Sequence, residues 1–286
     1  MKNTLVLISI LLTTIGNAQS KSKSETSKPF VLGIVEEIHS KVLSEIRILN
    51  IYLPDGYSTN DTITYPVTYL LDGSADEDFI HVVGLYQFNN FPWIDRVPKS
   101  IVVGIANVDR KRDFYFPTTI VEDKKRNPTS GESAKFISFI ENELQPFIEK
   151  KFKTNASKTI IGQSAGGLLA TEILIKKPQL FNKYIIISPS VWWDNCSILK
   201  EKSEIYDDHF KGPIAIYVGV GKEGLAPTAI PHVMEVDANL LVEKLKSTKS
   251  NNVKVHLDYL PEEDHATVTH QAIFNALRIL YPKSEE

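Results

Sequence analysis

The middle of the 286-residue chain carries a serine between closely spaced glycines. Residues 162–167 read Gly-Gln-Ser-Ala-Gly-Gly, so Ser164 has a glycine two positions away on either side. This spacing is typical of a nucleophilic serine on a sharp strand-to-helix turn, because glycine lets the strand and the helix pack closely. A Gly/Ser turn without a chemical role is the alternative, and the apolar stretch before Ser164 and the helical pattern after it favour the nucleophile.

A serine hydroxyl is a weak nucleophile at neutral pH and needs a general base. In the strand–turn–helix context of this motif the partners follow in the order serine, acid, histidine, and the histidine comes after the last strand. His265 lies there, just beyond the predicted strand Val253–Leu260. His270 falls inside the next predicted helix and His256 inside the strand, so we assign the base to His265.

The acid that orients this histidine is predicted to be Glu223. It lies in a Gly-Lys-Glu-Gly segment directly after the predicted strand Pro213–Val220. Its carboxylate would hold the imidazole in the required tautomer and stabilise the imidazolium. Asp237, early in the next helical pattern, and Asp194 are rival acids, and a serine–histidine pair without an acid is a further alternative.

Two backbone N–H groups are needed to stabilise a developing oxyanion. Ala165, the residue after the serine, is predicted to supply one of them. The second is expected from Gly73 or Ser74, in the loop after the predicted strand Pro66–Leu71. An Asp-Gly pair opens this loop, and it is equally typical of a tight turn that binds nothing.

Four further side chains are candidates for contact with a substrate. Trp192 and Trp193 follow the predicted strand Tyr184–Ser188, at the sheet edge expected for Ser164, and they either wall a cleft or pack beneath it. Arg110 and Arg112 begin a long basic segment, residues 110–126, which is predicted to be a loop. It is either a lid that attracts an anionic ligand or a solvated surface loop.

The elements that must position these residues alternate between strands and helices. This alternation predicts one α/β domain with a mostly parallel, eight-stranded central sheet flanked by helices, whose first two strands are antiparallel at one edge. The predicted strands are Val31–Ile38, Ile46–Leu53, Pro66–Leu71, Ile101–Asn107, Thr159–Ile161, Tyr184–Ser188, Pro213–Val220 and Val253–Leu260. The predicted helices are Ser133–Lys151 (kinked by Pro146), Ala165–Lys176, Val236–Leu245 and Thr267–Leu280.

The first thirty residues have the pattern of an export signal and not that of a folded domain. Residues 1–18 combine Lys2, a short apolar run and a Gly-Asn-Ala cleavage pattern, which is typical of a secretory signal peptide. An uncleaved anchor or a buried strand is the alternative. Residues 19–30 are predicted to be a flexible lead-in, and 31–286 the folded domain. No second apolar run is long enough to span a membrane, so the cleaved protein is expected to be periplasmic or secreted.

Composition excludes several classes of protein. Thirty-two Lys and Arg residues balance 35 Asp and Glu residues, for a formal net charge of −3, which argues against a nucleic-acid partner. The single cysteine, Cys196, forms neither an intrachain disulfide nor a cysteine-rich zinc site. No metal and no organic cofactor is indicated.

Five stretches, taken together in their order, resemble the putative-esterase family of α/β-hydrolases, which holds enterochelin-type siderophore esterases, feruloyl esterases and related carboxylesterases. The resemblance extends from Glu37 to Tyr281. It implies the α/β-hydrolase fold, a small-molecule ester as substrate, hydrolysis through an acyl-enzyme, and the roles of nucleophile, acid and base for Ser164, Glu223 and His265. The matching stretches are Tyr52–Tyr57, Tyr65–Gly73, Ile101–Asp113, Gly162–Gly167 and Ser188–Trp193.

Other functions on the same fold are a non-catalytic periplasmic binding or accessory protein, a serine acyltransferase and a peptidase. An intact set of serine, glutamate and histidine argues against the binding protein. Peptidases of this fold generally carry an extra domain, and none is predicted within these 286 residues.

Overall fold

The computed structural model of the protein describes residues 27–60 and 62–283. The predicted signal peptide lies outside the described residues, as does the lead-in up to residue 26. The described residues from 32 onward form one unit, which is built on a single sheet. Its strands are β1 (Ile34–Ser40), β2 (Glu45–Tyr52), β3 (Tyr65–Leu70), β4 (Ile101–Ile105), β5 (Thr154–Gln163), β6 (Lys183–Ile187), β7 (Ile214–Gly221) and β8 (Val253–Leu260).

The eight strands are arranged in the order β1-β2-β4-β3-β5-β6-β7-β8. β1 pairs with β2, and β2 with β4, in antiparallel register, while every pair from β4 to β8 is parallel. The predicted mostly parallel sheet with an antiparallel edge is therefore confirmed. All residues of β3 and β4 are buried, because helices cover both faces of the parallel part.

Helices cover the sheet on two sides. Successive residues of one strand belong to different apolar cores: Ile160 packs in one, Ile161 in the other. One core contains the buried residues of α1 and α8, and the other those of α4 to α7. The helices are α1 (Phe79–Asn89), α2 (Arg110–Phe114), α3 (Val121–Arg126), α4 (Ser133–Phe139), α5 (Gln145–Lys151), α6 (Ala165–Lys176), α7 (Met234–Lys246) and α8 (Val268–Leu280).

The predicted helix over residues 133–151 is observed as α4, a π-helical turn at Ile140–Leu144, and α5. Pro146 lies in the first turn of α5, where its missing N–H is tolerated. In place of the predicted kink at Pro146, the helix contains a wider, π-helical turn just before the proline.

The segment 110–126 differs from its prediction. It contains α2 and α3 rather than one long loop. Asp109 begins α2 by accepting a hydrogen bond from the Arg112 N–H at 3.0 Å, a cap that stabilises even a very short helix. None of the helices in the described part of the chain is long and apolar enough to cross a membrane.

Candidate active site

Ser164 lies on the sharp turn between β5 and α6. Its backbone adopts φ 58° and ψ −117°, a conformation that an L-residue rarely occupies. A Cβ at Gly162 would come within 2.5 Å of the Gly166 carbonyl carbon, and one at Gly167 within 2.9 Å of the Ile187 carbonyl oxygen. Gly162 and Gly167 are therefore required by the close packing of the turn, and the predicted elbow is present.

His265 lies in the turn between β8 and α8. The carboxylate of Asp264 accepts hydrogen bonds from the next two N–H groups after His265, at 2.8 and 3.1 Å, and so holds the turn. The imidazole Nε2 is 3.1 Å from Ser164 Oγ. Gln163 donates to the His265 carbonyl at 3.0 Å, which ties the histidine turn to the serine turn.

Glu223 completes a path of hydrogen bonds. Its Oε2 lies 2.6 Å from His265 Nδ1. Its Oε1 accepts from the Ser188 hydroxyl and, at 3.2 Å, from the Gly221 N–H. The side chain is only 2% exposed, so three donors compensate the burial of its charge. Glu235 holds the loop by accepting from the Glu223 N–H at 2.9 Å.

The rival acids and histidines have other partners. Asp237 Oδ1 lies 3.1 Å from His232 Nδ1. Asp194 accepts from Thr118 and Thr119. His270 lies on α8 beside another histidine, and His256 is exposed on β8. The structure thus brings together Ser164, Glu223 and His265, the three residues chosen from the sequence.

The N–H groups of the three predicted oxyanion donors differ in their hydrogen bonding. The Ala165 N–H is the first of α6, where helix N–H groups have no helical acceptor. The Ser74 N–H makes no backbone hydrogen bond among the turn and loop contacts of the described residues. The Gly73 N–H donates to the Ile105 carbonyl at 3.0 Å, so the prediction that it serves an oxyanion is wrong. Gly73 is needed for close strand packing, since a Cβ there would lie 2.5 Å from Ile105 N.

The two tryptophans face different surroundings. Trp192 lines a cavity of about 210 Å³ beside Ser164. Trp193 is fully buried, its indole N–H donates to the Phe116 carbonyl at 2.9 Å, and its ring lies 4.3 Å from that of Tyr115. The prediction that Trp193 contacts substrate is therefore wrong, because its side chain points into the core.

Arg110 lies near the serine turn but is already paired. It donates twice to the Asp72 carboxylate, at 2.6 and 2.8 Å, and once to the Gln163 carbonyl at 3.2 Å. Burial lowers the pKa of Arg110, but the hydrogen bonds and the charge of Asp72 outweigh it and leave this pKa above its ordinary value. Arg110 thus ties the loop before Gly73 to the end of β5.

Arg112 belongs to a different cluster. It donates to Asp113 at 2.8 Å and to Glu45 at 2.7 Å, and Arg47 pairs with the same two carboxylates. The hydrogen bond from Arg112 to Asp113, more than any other contact, keeps the pKa of Arg112 above its ordinary value. The predicted contact of Arg112 with a substrate is wrong, since these side chains form an ion-pair network between β2 and α2.

The cavity also contains residues that the sequence did not single out. Ser190 Oγ lies 3.4 Å from Ser164 Oγ, and Ser188 anchors Glu223. Both follow β6, the strand between β5 and β7, so their position at the same sheet edge was the available signal. The lining residues are Ser164, Ser190, Trp192, Glu223, Leu225, Pro227, Met234 and His265.

The elbow serine, the histidine and the buried carboxylate all lie within a stretch of the chain that matches the model of a known protein family. Residues 40–266 match the family model described as Putative esterase. The chain belongs to this esterase family. As a member of the Putative esterase family it is a carboxylic-ester hydrolase on a mostly parallel eight-stranded α/β sheet.

Individual relatives of this esterase agree with the family. Ferri-bacillibactin esterase BesA of Bacillus subtilis is 27% identical, over 92% of this chain and 95% of the relative. Two solved structures are similar over most of their length. An IroE-like serine hydrolase from Shewanella oneidensis shows 30% identity and a TM-score of 0.77, over 87% of this chain and 80% of that one. The BES protein from Bacillus cereus shows 26% identity and a TM-score of 0.75, over 98% of this chain and 100% of that one.

Proposed function

We propose that this esterase is an exported serine hydrolase that cleaves siderophore-type esters through an acyl-enzyme on Ser164. The observation that carries the mechanism is the unbroken path of hydrogen bonds from Ser164 Oγ to His265 Nε2, at 3.1 Å, and from His265 Nδ1 to Glu223, at 2.6 Å. These distances lie within the reach of direct proton transfer.

Each step of the reaction has a residue to carry it. Ser164 Oγ attacks the ester carbonyl carbon and passes its proton to His265 Nε2, while Glu223 stabilises the imidazolium. The N–H groups of Ala165 and Ser74 stabilise the charge on the carbonyl oxygen. His265 then gives the proton to the departing alcohol, and afterwards takes one from the water that releases the acid.

The substrate class is inferred from the cavity and from the relatives. A cavity of about 210 Å³ is smaller than the roughly 300–1,000 Å³ of sites that enclose a whole drug-sized ligand. It suits one acyl arm of a larger ester whose remainder lies outside. Trp192, Leu225 and Met234 give the cavity an apolar wall, and the similarity to ferri-bacillibactin esterase supports a chelator ester over an acylated sugar.

Hydrolysis is tested first with a short p-nitrophenyl ester, comparing the wild type with Ser164→Ala and His265→Ala. Both variants are expected to lose at least about 10⁴-fold in kcat. His270→Ala, an exposed histidine on the neighbouring helix, is the matched control and is expected to keep wild-type activity. A wild-type rate equal to that of Ser164→Ala would instead identify a non-catalytic binding protein.

The substrate class is tested by comparing kcat/KM for a ferric tris-catecholate ester, a feruloylated or acetylated sugar and a simple acyl ester. The proposal requires the chelator ester to be preferred. A higher rate with sugar esters, or acyl transfer to an added alcohol in place of hydrolysis, would replace it.

Export is supported by the basic, apolar and small-residue pattern of residues 1–18. Expression of the whole chain in a bacterial host, fractionation and N-terminal sequencing test it. The expected product begins after Ala18 and lies outside the cytoplasm, whereas an uncleaved cytoplasmic chain would contradict export.

A further inference from the structure

A second cluster of reactive side chains lies behind one wall of the cavity. Cys196 Sγ is 3.4 Å from His232 Nδ1, and the same nitrogen is 3.1 Å from Asp237 Oδ1. One ligand-type atom from each of the three residues lies within 4.8 Å of the others. These atoms play no part in the Ser164 mechanism, and they come from two separate segments of the chain.

The distances between these atoms are those of a metal site. In a tetrahedral zinc site, Zn–S bonds of about 2.3 Å and Zn–N and Zn–O bonds of about 2.0 Å put sulfur and nitrogen about 3.6 Å apart, and nitrogen and oxygen about 3.3 Å apart. The observed separations of 3.4 and 3.1 Å are slightly shorter than these values. The imidazole nitrogen thus lies near metal-site distances from both the sulfur and the oxygen, and the sulfur lies within 4.8 Å of a carboxylate oxygen.

The surrounding contacts orient the donors toward that point. His232 Nε2 lies 3.1 Å from Asn195 Oδ1. In the tautomer that donates its Nε2 proton to this oxygen, the Nδ1 lone pair is available to a cation beside the Asp237 carboxylate. The second carboxylate oxygen of Asp237 is buried and has no hydrogen-bond partner among the described residues, although this side chain is only 3% exposed. A cation between these groups would satisfy both of them.

We propose that Cys196, His232 and Asp237 bind one zinc ion, with the second oxygen of Asp237 or a solvent molecule as the fourth ligand. Thiolate and imidazole together favour a borderline metal such as zinc over magnesium or calcium. Binding releases the thiol proton to solvent, so atoms and charge balance as thiol plus Zn²⁺ gives zinc thiolate plus H⁺. His232 is 15% exposed, which provides a route from solvent.

The position of the cluster gives the ion a structural role. Cys196 follows the segment that carries Trp192, while His232 and Asp237 flank Met234. Trp192 and Met234 both line the cavity beside Ser164. Zinc would therefore join two segments of the cavity wall, and this inference holds whether or not the ester proposed above is the substrate.

Cobalt(II) tests the site directly, because the chain has one cysteine and a cobalt–thiolate absorption band therefore reports on Cys196 alone. The full-length protein is freed of metal with a chelator and titrated with cobalt, then with zinc. The expected result is a thiolate-to-cobalt band in the near ultraviolet that saturates at one ion per chain and disappears when zinc is added. Zinc at a hundredfold excess over its Kd should raise Tm by about 5 °C or more.

Variants separate the proposed site from other histidines. Cys196→Ala and His232→Gln are expected to weaken zinc binding by at least about 100-fold, more than the loss of a residue that only supports a ligand. His209→Gln, at an exposed histidine, is the matched control and should leave the titration unchanged. If the wild type shows no thiolate band, or if Cys196→Ala binds zinc as tightly as the wild type, the site does not exist. The contacts among the three side chains are then ordinary hydrogen bonds.

Discussion

Replacing Glu223 by glutamine tests how the structure sets the tautomer of His265, that is, which ring nitrogen carries the proton. In the wild type, Oε1 of Glu223 accepts from the Ser188 hydroxyl and the Gly221 N–H, and Oε2 faces His265 Nδ1. A glutamine of the same size must put its carbonyl oxygen where the two donors are. Its NH₂ group then faces His265 Nδ1, which has to become an acceptor.

That exchange moves the imidazole proton to Nε2, opposite Ser164 Oγ, where it prevents the histidine from acting as a base. The expected loss is about 10⁴-fold in kcat, the size seen when a serine-protease triad carries the wrong tautomer. This loss corresponds to about 5.5 kcal/mol of transition-state stabilisation. The assay is steady-state hydrolysis of a p-nitrophenyl ester, with urea unfolding to verify that the variant is folded.

Glu262→Gln is the matched control, since the same substitution is made three residues before His265 at an exposed side chain. It is expected to stay within about twofold of the wild type. If folded Glu223→Gln kept kcat within about tenfold of the wild type, the tautomer argument would be refuted, and His265 would be oriented without the carboxylate.

Three further substitutions test the surroundings of the site. Ser188→Ala removes a donor to Glu223 and is expected to lower kcat about tenfold with KM unchanged, a loss of about 1.4 kcal/mol; an unchanged kcat would show that the Gly221 N–H suffices. Gly73→Ala should destabilise the fold by about 1–3 kcal/mol in urea unfolding, because its Cβ would overlap the neighbouring strand; wild-type stability would contradict this close packing. Asp109→Ala should cost about 1 kcal/mol at pH 7 by loss of the α2 cap. Partial burial raises the pKa of Asp109, but its hydrogen bonds lower this pKa more. The stabilisation by the Asp109 cap is therefore full above about pH 4, the pKa of an unfolded Asp, and is lost as the pH falls through the lower pKa of the folded state. The urea midpoints of the two proteins should converge in acid, and parallel curves would contradict the assignment.

The parts of the site that could be predicted are those fixed by chain order. A Gly-x-Ser-x-Gly run between a strand and a helix defines a turn from local sequence alone. Glu223 and His265 could be assigned because they lie just after β7 and β8, and the carboxyl ends of parallel strands share one sheet edge. Strand order along the sheet was not needed for either assignment.

The parts that failed depend on side-chain direction and on packing. Trp192 and Trp193 are neighbours in sequence, yet one lines the cavity and the other is in the core. Arg112 is paired with its neighbour Asp113 and also with Glu45 on β2, and no sequence pattern links Glu45 to Arg112. Helices α2 and α3, of five and six residues, are too short for a periodic pattern, so caps and tertiary contacts define them.

The three side chains of the proposed mechanism lie just after β5, β7 and β8, and β8 is both an edge strand and the last strand among the described residues. Detachment of β8 would move the turn that carries His265 away from Ser164, which lies after β5, and the site would then lack its base. Ester turnover therefore reports the docking of this edge strand. In a Trp93→Phe background, which removes the exposed third tryptophan, fluorescence reports the burial of Trp192 and Trp193 after β6. During refolding, fluorescence is expected to recover before ester hydrolysis, because the site is complete only after β8 and the turn that carries His265 have docked.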